Sequence, residues 1–433
     1  MRRSIIFLIL FIFAPLCQLT LRPLGLAGVS CCLGAEEVSL TLDEALSLAL
    51  RNNRDILLKT EDVKKAKEDI KDAKSGLFPS LTFTGGLSDT RGLYSKDTTQ
   101  SSAQLSLKQY LYKGSETVNT IQQSKDKLLV SEALLDKEKL EIVLKVRKAF
   151  FTLLLSQELT ALNKSMVDNS RKHILTLQER YTNGHESESE ILRIESTAAN
   201  MEQAYDASLN QVDSGKALIK NLLFFDTQVQ VSLKGYFSYL PVEVAYDEAF
   251  LKAMKSRPEI KQYEAQERAD RKAIEIAKAD NRPSIYASWD YYSRSNSSAS
   301  TAKNWNDYNV LGLTFSWPIF DGWATKAKVE SAIIDLKTTQ LEKEKKLGDI
   351  ALELKNAYIG LKDAIEKIKS TEVDLVVYKD NLSVIEKKYK QGLTSSLDLD
   401  DAELKYKIAD FNKKQAIYDY IIAKSNFDKA TGG

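Results

Sequence analysis

"LTLDEALSLALRNNRDI" (Leu40–Ile56) returns 204 positions later as "VAYDEAFLKAMKSRPEI" (Val244–Ile260). The same offset sets "FPSLTF" against "RPSIYA", with Pro79 opposite Pro283. Further along the offset becomes 208: Leu107 in "LSLKQYLYKG" matches Phe315 in "LTFSWPIFDG", and Tyr181 and Gly184 match Tyr389 and Gly392. The difference of four residues arises between Pro79 and Leu107. Insertions collect at loop tips, so a loop there joins two strands. Repetition on this scale organises a whole chain. It divides this one into a first repeat over 36–223, a strand- or loop-like linking (equatorial) segment over 224–243, and a second repeat over 244–433. Each repeat reads helix, strand, loop, strand, very long helix, turn, long helix. Thr41 and Glu44 form a capping box at the first helix. Ala245 and Glu248 hold the equivalent places in the second repeat, so that cap is lost.

The strands fall at about 79–94 and 101–113, and at about 283–295 and 307–319. Ile285, Ala287, Trp289 and Tyr291 alternate with Ser288, Asp290 and Arg294, although Tyr286 and Tyr292 blur the polar side. Leu311, Leu313, Phe315 and Trp317 alternate with Gly312, Thr314 and Ser316. The first repeat supplies Leu81, Phe83 and Leu87, then Leu105, Leu107 and Leu111. Period-two alternation marks strands with one apolar and one polar face. An ordinary soluble sheet over a core has this pattern too. Three features point instead to lipid. The strands run about ten residues, enough to cross a bilayer when tilted. All four tryptophans (Trp289, Trp305, Trp317, Trp323) lie in or beside the second strand pair, as in an aromatic girdle. No helical domain is left over to cover the sheet. Four strands alone would leave unsatisfied edges in lipid, so several chains must close a barrel.

Proline is confined to seven positions, with none between Pro79 and Pro241 and none after Pro318. From Gly114 to Tyr181, and from Gly322 to Tyr389, apolar residues recur at helical spacing. Some 67 residues at 1.5 Å each extend roughly 100 Å, longer than any globular core uses. These very long helices open hairpins over 115–223 and 323–430. The return helices after the two Tyr-x-x-Gly turns are about half as long. Helices near 42–77 and 246–280, stacked end to end with the returns, fill the gap.

The N-terminus is an address. Arg2 and Arg3 precede the apolar run "SIIFLILFIFAPL", which fits a secretory signal over residues 1–35. All three cysteines (Cys17, Cys31, Cys32) fall there, which leaves the body without disulfide or thiol chemistry. Cys31 in "GVSC" is a candidate lipid-attachment cysteine. Gly28 stands where such boxes usually carry Leu, and cleavage near Gly34 or Ala35 is the other reading. With 61 basic and 60 acidic residues, nothing suggests a nucleic-acid surface. His173 and His185 share no catalytic or metal-ligand spacing, and there is no phosphate loop, so an enzyme, a cofactor and a metal are not expected.

The duplicated order of elements, the "LTLDEALSLALRNN" opening, "FPSLTFTGG" and "RPSIYASWDYYS" leading the strands, "WPIFDGW" before the long helix, and the Tyr-x-x-Gly turns together resemble the TolC family of outer-membrane efflux proteins. The resemblance covers the whole body of the chain and rests on order and repetition, since no single motif is highly specific. It implies a mainly α fold with a transmembrane β part. A homotrimer would form a twelve-stranded outer-membrane barrel, four strands per chain, continuous with a long periplasmic α-helical barrel. It also implies export of small molecules or proteins, as in tripartite efflux or type I secretion. The partners would be a periplasmic adaptor (membrane fusion) protein and an inner-membrane pump of the RND, ABC or MFS type. The other reading is a periplasmic coiled-coil adaptor or structural protein.

On the resemblance, the turns are periplasmic tips. Gly184 and Gly392 suit the helix C′ position, and Ser187 with Glu190, and Ser395 with Asp398, look like caps of the return helices. The docking surface for an adaptor would comprise Tyr181, Gly184, Ser187, Tyr389, Gly392, Leu393, Thr394 and Ser395. Asp398 and Asp401 match aspartates that line the constricted entrance, six carboxylates in a trimer, a ring that would raise carboxylate pKa values. The first repeat has Glu190 and Arg193 there. Acidic residues in a first helical turn also simply complement the helix dipole. The lipid-facing and girdle residues would be Leu81, Phe83, Leu105, Leu107, Trp289, Leu311, Leu313, Phe315 and Trp317.

Overall fold

A computed structural model describes residues 37–93, 96–185, 187–226, 228–298 and 304–433. The first repeat comprises β1 (Glu37–Leu40), α1 (Leu42–Asn52), α2 (Arg54–Ser75), β2 (Ser80–Leu93), β3 (Lys96–Lys113), α3 (Glu116–Thr182) and α4 (Glu188–Leu223). After β4 (Gln230–Leu233), the second comprises α5 (Tyr246–Ser256), α6 (Pro258–Ala279), β5 (Ser284–Ser298), β6 (Asn304–Ser316), α7 (Ala324–Lys390) and α8 (Ser396–Thr431). Helices of 11, 22, 67 and 36 residues occur in that order in both repeats. The duplication is therefore exact in every helix, and the length difference is confined to the strands and their loops.

Two expectations about the short helices change. Each of the segments near 42–77 and 246–280 is two helices rather than one. The breaks fall at Asn53 and Arg257, both extended. Asn53 accepts from the Asp55 amide at 3.0 Å and so caps α2. Arg257 precedes Pro258, whose ring disfavours helical backbone in the residue before it. Both side chains then do the same thing with different chemistry. Asn53 Nδ2 donates to the Leu222 carbonyl at 3.1 Å, and Arg257 Nε donates to the Ala430 carbonyl at 3.0 Å. Leu222 and Ala430 are themselves equivalent at an offset of 208. Each joint thus ties the start of a 22-residue helix to the end of the 36-residue helix below it. The capping box of Thr41 and Glu44 is formed, with Thr41 N to Glu44 Oε2 at 2.9 Å, and α5 has no side-chain cap at Ala245.

Around these joints lie two apolar clusters. One joins Ala45 and Ala49 to Val146, Phe150, Leu153 and Leu223; the other joins Ala249 and Ala253 to Leu354, Leu361, Ile368 and Phe427. The pairs Ala45/Ala249, Ala49/Ala253, Val146/Leu354 and Leu153/Leu361 are equivalent, so one packing plan is used twice. The linking segment contributes β4, which pairs in parallel with β1, Leu40 opposite Leu233. β1 lay outside the strands expected from the sequence, because four residues are too few for a period-two signal to emerge.

The sheet is antiparallel in the order β2-β3-β5-β6. Its strands hold 14, 18, 15 and 13 residues, longer than the ten or so expected. β3 begins at Lys96 rather than 101, and β6 ends at Ser316 rather than 319. Pro318 has no N–H for a ladder and closes the strand early. β3 and β5 are paired on both sides, whereas β2 and β6 each have one free edge within the chain.

Arg257 is the largest fully buried side chain. Besides Ala430 it bonds Glu259 at 3.1 Å and makes a short contact to Glu353. Burial pushes the Glu353 carboxyl up, but the hydrogen bond and charge of Arg257, with Lys429 beside it, hold it below the ordinary glutamate value. Stability from such a group is complete above the ordinary glutamate pKa and lost as pH falls through the lowered value. Arg257→Ala, which strands a buried Glu259, is expected to cost about 3–5 kcal/mol in denaturant unfolding. It should also flatten the loss of stability below the ordinary glutamate range.

Candidate functional site: the two sheet faces and the hairpin tips

The register builds two unlike faces. Leu81, Leu107, Trp289 and Leu311 form one row across all four strands, and Phe83, Leu105 and Tyr291 form the next. Ala287 and Leu313, then Ile285 and Phe315, continue the apolar side. The side chains on the outer strands are the most open, with Phe83 72% and Leu311 82% exposed, while Leu105, Ile285 and Tyr291 on the inner strands are half-buried. The opposite face carries Thr82, Ser106 and Asp290 in one row and Thr84, Gln104, Tyr292 and Tyr308 in the next. Gln104 Nε2 bonds both Asp290 and Tyr292 at 3.1 Å.

The tyrosines that blurred the alternation have a reason to be on the polar side. Tyr110 and Tyr286 meet edge to face at 5.5 Å, with the Lys108 ammonium over both rings. Tyr292 and Tyr308 stack at 5.0 Å under Arg294. Their rings act as cation platforms, and Tyr292 adds a hydroxyl hydrogen bond.

Trp317 is placed differently from the expectation. It lies just past the end of β6 and donates its indole N–H to the Asn281 carbonyl at 3.3 Å, fastening the sheet to the end of α6. Gln109, its equivalent, donates to the Leu77 carbonyl at 3.2 Å beside α2. From there the chain turns into the long helices through two residues in the left-handed region. These are Gly114 and Ser115 in one repeat, Gly322 and Trp323 in the other. Asp321 accepts from the Thr325 amide at 2.7 Å and so serves the start of α7. At Gly114 a Cβ would lie 2.8 Å from the Ala279 carbonyl, so only glycine fits.

At the far end, both Tyr-x-x-Gly turns close in one way. Gly184 and Gly392 have φ of 74° and 73°. The amides of His185 and Leu393 bond the Arg180 and Lys388 carbonyls, and those of Gly184 and Gly392 bond the Tyr181 and Tyr389 carbonyls. This is a Schellman closure with glycine at C′. Tyr181, Tyr389 and Leu393 leave their side chains exposed at the turns.

The return helices start differently. Ser395 makes a full capping box with Asp398, whose Oδ2 accepts from Thr394 Oγ1 at 2.9 Å, Ser395 N at 3.0 Å and Ser395 Oγ at 2.6 Å. Ser187 makes no side-chain cap, contrary to expectation, and Glu190 turns to Arg193 instead of back to the cap, with contacts at 2.6 and 3.1 Å. The three donors, Ser395 foremost, hold the Asp398 carboxyl below the usual aspartate range. Asp398 and Asp401 share no partner. Asp401 meets His173 of α3 at 3.0 Å, and the adjacent Asp400 meets Lys172 at 2.6 Å. Lys172, His173 and Asp400 had no local signal; a neighbouring basic pair and acidic pair 228 positions apart can be matched only once the hairpins lie side by side.

The sequence profile of the outer membrane efflux proteins matches residues 45–223 and 251–433. No curated protein matches the chain by sequence. Among solved structures, the CmeC outer membrane channel of Campylobacter jejuni is similar at a TM-score of 0.75, with 17% identity over 90% of this chain and 85% of that one. The outer membrane protein VceC of Vibrio cholerae gives 0.71, with 15% identity over 90% and 96%. The open state of the MtrE outer membrane channel of Neisseria gonorrhoeae gives 0.70, with 16% identity over 90% and 89%.

Ser395→Ala is expected to destabilise the start of α8 by about 1 kcal/mol, whereas Ser187→Ala should leave α4 nearly unchanged. Hydrogen exchange in the first turns of the two helices measures the difference. The Asp398 side of the cap should persist at neutral pH and be lost as pH falls below the ordinary aspartate range.

Proposed function

This chain belongs to the outer membrane efflux protein family and is an outer-membrane efflux channel with a periplasmic helical part, and from that premise we propose how it is assembled and used. Three copies close a twelve-stranded barrel. The face of Leu81, Phe83, Leu105, Leu107, Trp289, Leu311, Leu313 and Phe315 meets lipid, and the face of Gln104, Asp290, Tyr292 and Lys108 lines the lumen. TolC-like channels are trimeric, and the observation that carries this reading for the present chain is the sheet itself. One face is apolar across four strands, and among the described residues neither edge has a partner within the chain. In lipid every backbone group must be paired, so the edge of β6 requires β2 of another copy. Even the shortest strand suffices: 13 residues extend about 43 Å and rise about 30 Å at a 45° tilt.

The hairpins then point into the periplasm, where the tips at Tyr181, Gly184, Ser187, Tyr389, Gly392, Leu393, Thr394 and Ser395 dock an adaptor that links the channel to an inner-membrane pump. Their backbones are alike, so six similar knobs surround a trimer. The entrance is narrowed by Asp398 and Asp401. Asp398 is exposed a few residues beyond a tip, and Asp401 sits where α8 touches the neighbouring hairpin. The channel is a passive conduit, and the pump chooses the cargo.

The purified protein should run as a detergent-resistant trimer that dissociates on heating, and carbonate without detergent should not extract it from membranes. Extraction by carbonate would contradict the channel. In planar bilayers, Asp398→Ala with Asp401→Ala should raise conductance and weaken cation preference. If both stay at the wild-type values, the entrance role is wrong and the residues only cap α8 and hold α3.

A further inference from the structure

Both hairpins of the sheet follow the duplication residue for residue. Leu81 pairs with Leu107 and Phe83 with Leu105 in the first. Their counterparts at offsets of 204 and 208 are Ile285 with Phe315 and Ala287 with Leu313, and these are the pairs that form in the second. Between the hairpins, β3 ends the first and pairs with β5, which begins the second. A closed barrel of identical copies has one other junction of this kind, β6 of one copy against β2 of the next. It joins the same two parts of the plan, so the register of β3 and β5 transfers to it. Leu105 opposite Tyr291 becomes Leu313 opposite Leu87, and Leu107 opposite Trp289 becomes Phe315 opposite Gly85.

Side chains at both ends of this junction fit it. The four positions all lie on the apolar face, so the transferred register keeps one face toward lipid. Among the described residues a Cβ on Gly85 would meet only the Phe83 ring, at 3.7 Å. A glycine in a strand marks a close neighbour, and an aromatic ring laid across it restores the lost packing. Phe315, exposed within the chain, supplies that ring. Below the sheet, the left-handed turn at Gly114 is filled by the corner between α6 and β5. A Cβ there would lie 2.8 Å from the Ala279 carbonyl and 2.9 Å from the Arg282 Cβ, and Arg282 Nη1 donates to the Gly114 carbonyl at 3.1 Å. Its counterpart Gly322 is also left-handed, yet no described residue comes within 4 Å of a Cβ built on it. The counterparts of Ala279 and Arg282 are Ser75 and Phe78, at the corner between α2 and β2. Phe78 is exposed, and so are Phe320 and Trp323 on either side of Gly322.

We propose that the boundary between copies beside the membrane is built by Phe78 of one copy seated on the Gly322–Trp323 turn of the next, with β6 and β2 in the register Leu313 to Leu87 and Phe315 to Gly85. This rests on the trimeric channel proposed above and adds which residues meet. The occupant is a second copy of this chain because corner and turn are the two halves of a contact that each protomer already makes once. Within the chain that contact is polar, through Arg282. Between copies it brings together three aromatic rings, whose burial takes the place of the Arg282 hydrogen bond.

Residues 33–433 contain no cysteine, so paired cysteines read the register directly. Leu87→Cys with Leu313→Cys, oxidised in membranes, should give covalent trimers on a denaturing gel that reduction returns to monomers. Leu105→Cys with Tyr291→Cys, the equivalent pair within one chain, should migrate as monomers throughout. Leu87→Cys with Leu311→Cys, one step along the ladder, should link far less. A trimer that links through 87/311 in preference to 87/313 overturns the register. Phe78→Ala should lower the temperature at which the trimer dissociates, and Phe78→Tyr, which keeps the ring, should not. An unchanged dissociation temperature for Phe78→Ala overturns the seating on Gly322. A wild-type chain that is monomeric in detergent would instead overturn the trimer on which both depend.

Discussion

A helix of 67 residues in water is held only by what lies along it, and in each repeat two shorter helices must meet end to end to cover it. The meeting point is where a hydrogen-bonded helix is weakest. The 36-residue helix ends there with unsatisfied carbonyls, and the 22-residue helix begins there with unsatisfied amides. In the first repeat one side chain meets both needs, and in the second Arg257 meets that of the carbonyl. Asn53 takes the Asp55 amide and gives a proton to the Leu222 carbonyl, and Arg257 gives one to the Ala430 carbonyl. The apolar clusters of both repeats gather at this level, with Phe150 and Leu153 in one and Leu354 and Leu361 in the other. Position along the long helices, from the sheet at one end to the tips at the other, is measured from it.

The two repeats agree in backbone and differ in side chain, and that shows what the fold requires. A donor must reach the carbonyl that follows the 22-residue helix, and either a Gln109 amide or a Trp317 indole does so. The chain must turn through two left-handed residues before each long helix, and Ser115 accepts this as Trp323 does. A left-handed tryptophan is costly on its own, so the turn is imposed by the ends it joins rather than chosen by the residue. At the tips the requirement narrows to glycine, because the Schellman closure places one residue at positive φ in each turn.

This division explains what could be read from the sequence. The duplicated plan, the four sheet strands, the long helices and the glycine turns are local or periodic, and each left a pattern of spacing. The two helix breaks were partly visible, since "SRPEI" carries a proline that "NNRDI" lacks, but Asn53 and Arg257 act through carbonyls 169 and 173 positions away. β1 was too short to alternate. Ser187 had the right type for a cap yet makes none, and Glu190 pairs with Arg193 instead of reaching back to it. Asp398 was read both as a cap with Ser395 and as a charge facing a channel, and its three hydrogen-bond donors from its own turn form the cap. Type and position along the chain pointed to these residues. Their partners decide what they do.

Divergence between the repeats also sets how the two hairpins hold each other. If both hairpins carried the same charges, contacts within and between protomers would be interchangeable, and a scaffold of six equal hairpins would have no preferred boundary. Lys172 and His173 meet Asp400 and Asp401 within the chain, while the equivalent positions carry Asp380 and Asn381, and Leu192 and Arg193. The cap asymmetry at the tips runs the same way, with Ser395 and Asp398 closing α8 while Ser187 leaves α4 open. A second-repeat hairpin with a firm tip and a charged grip on its own first repeat is a unit.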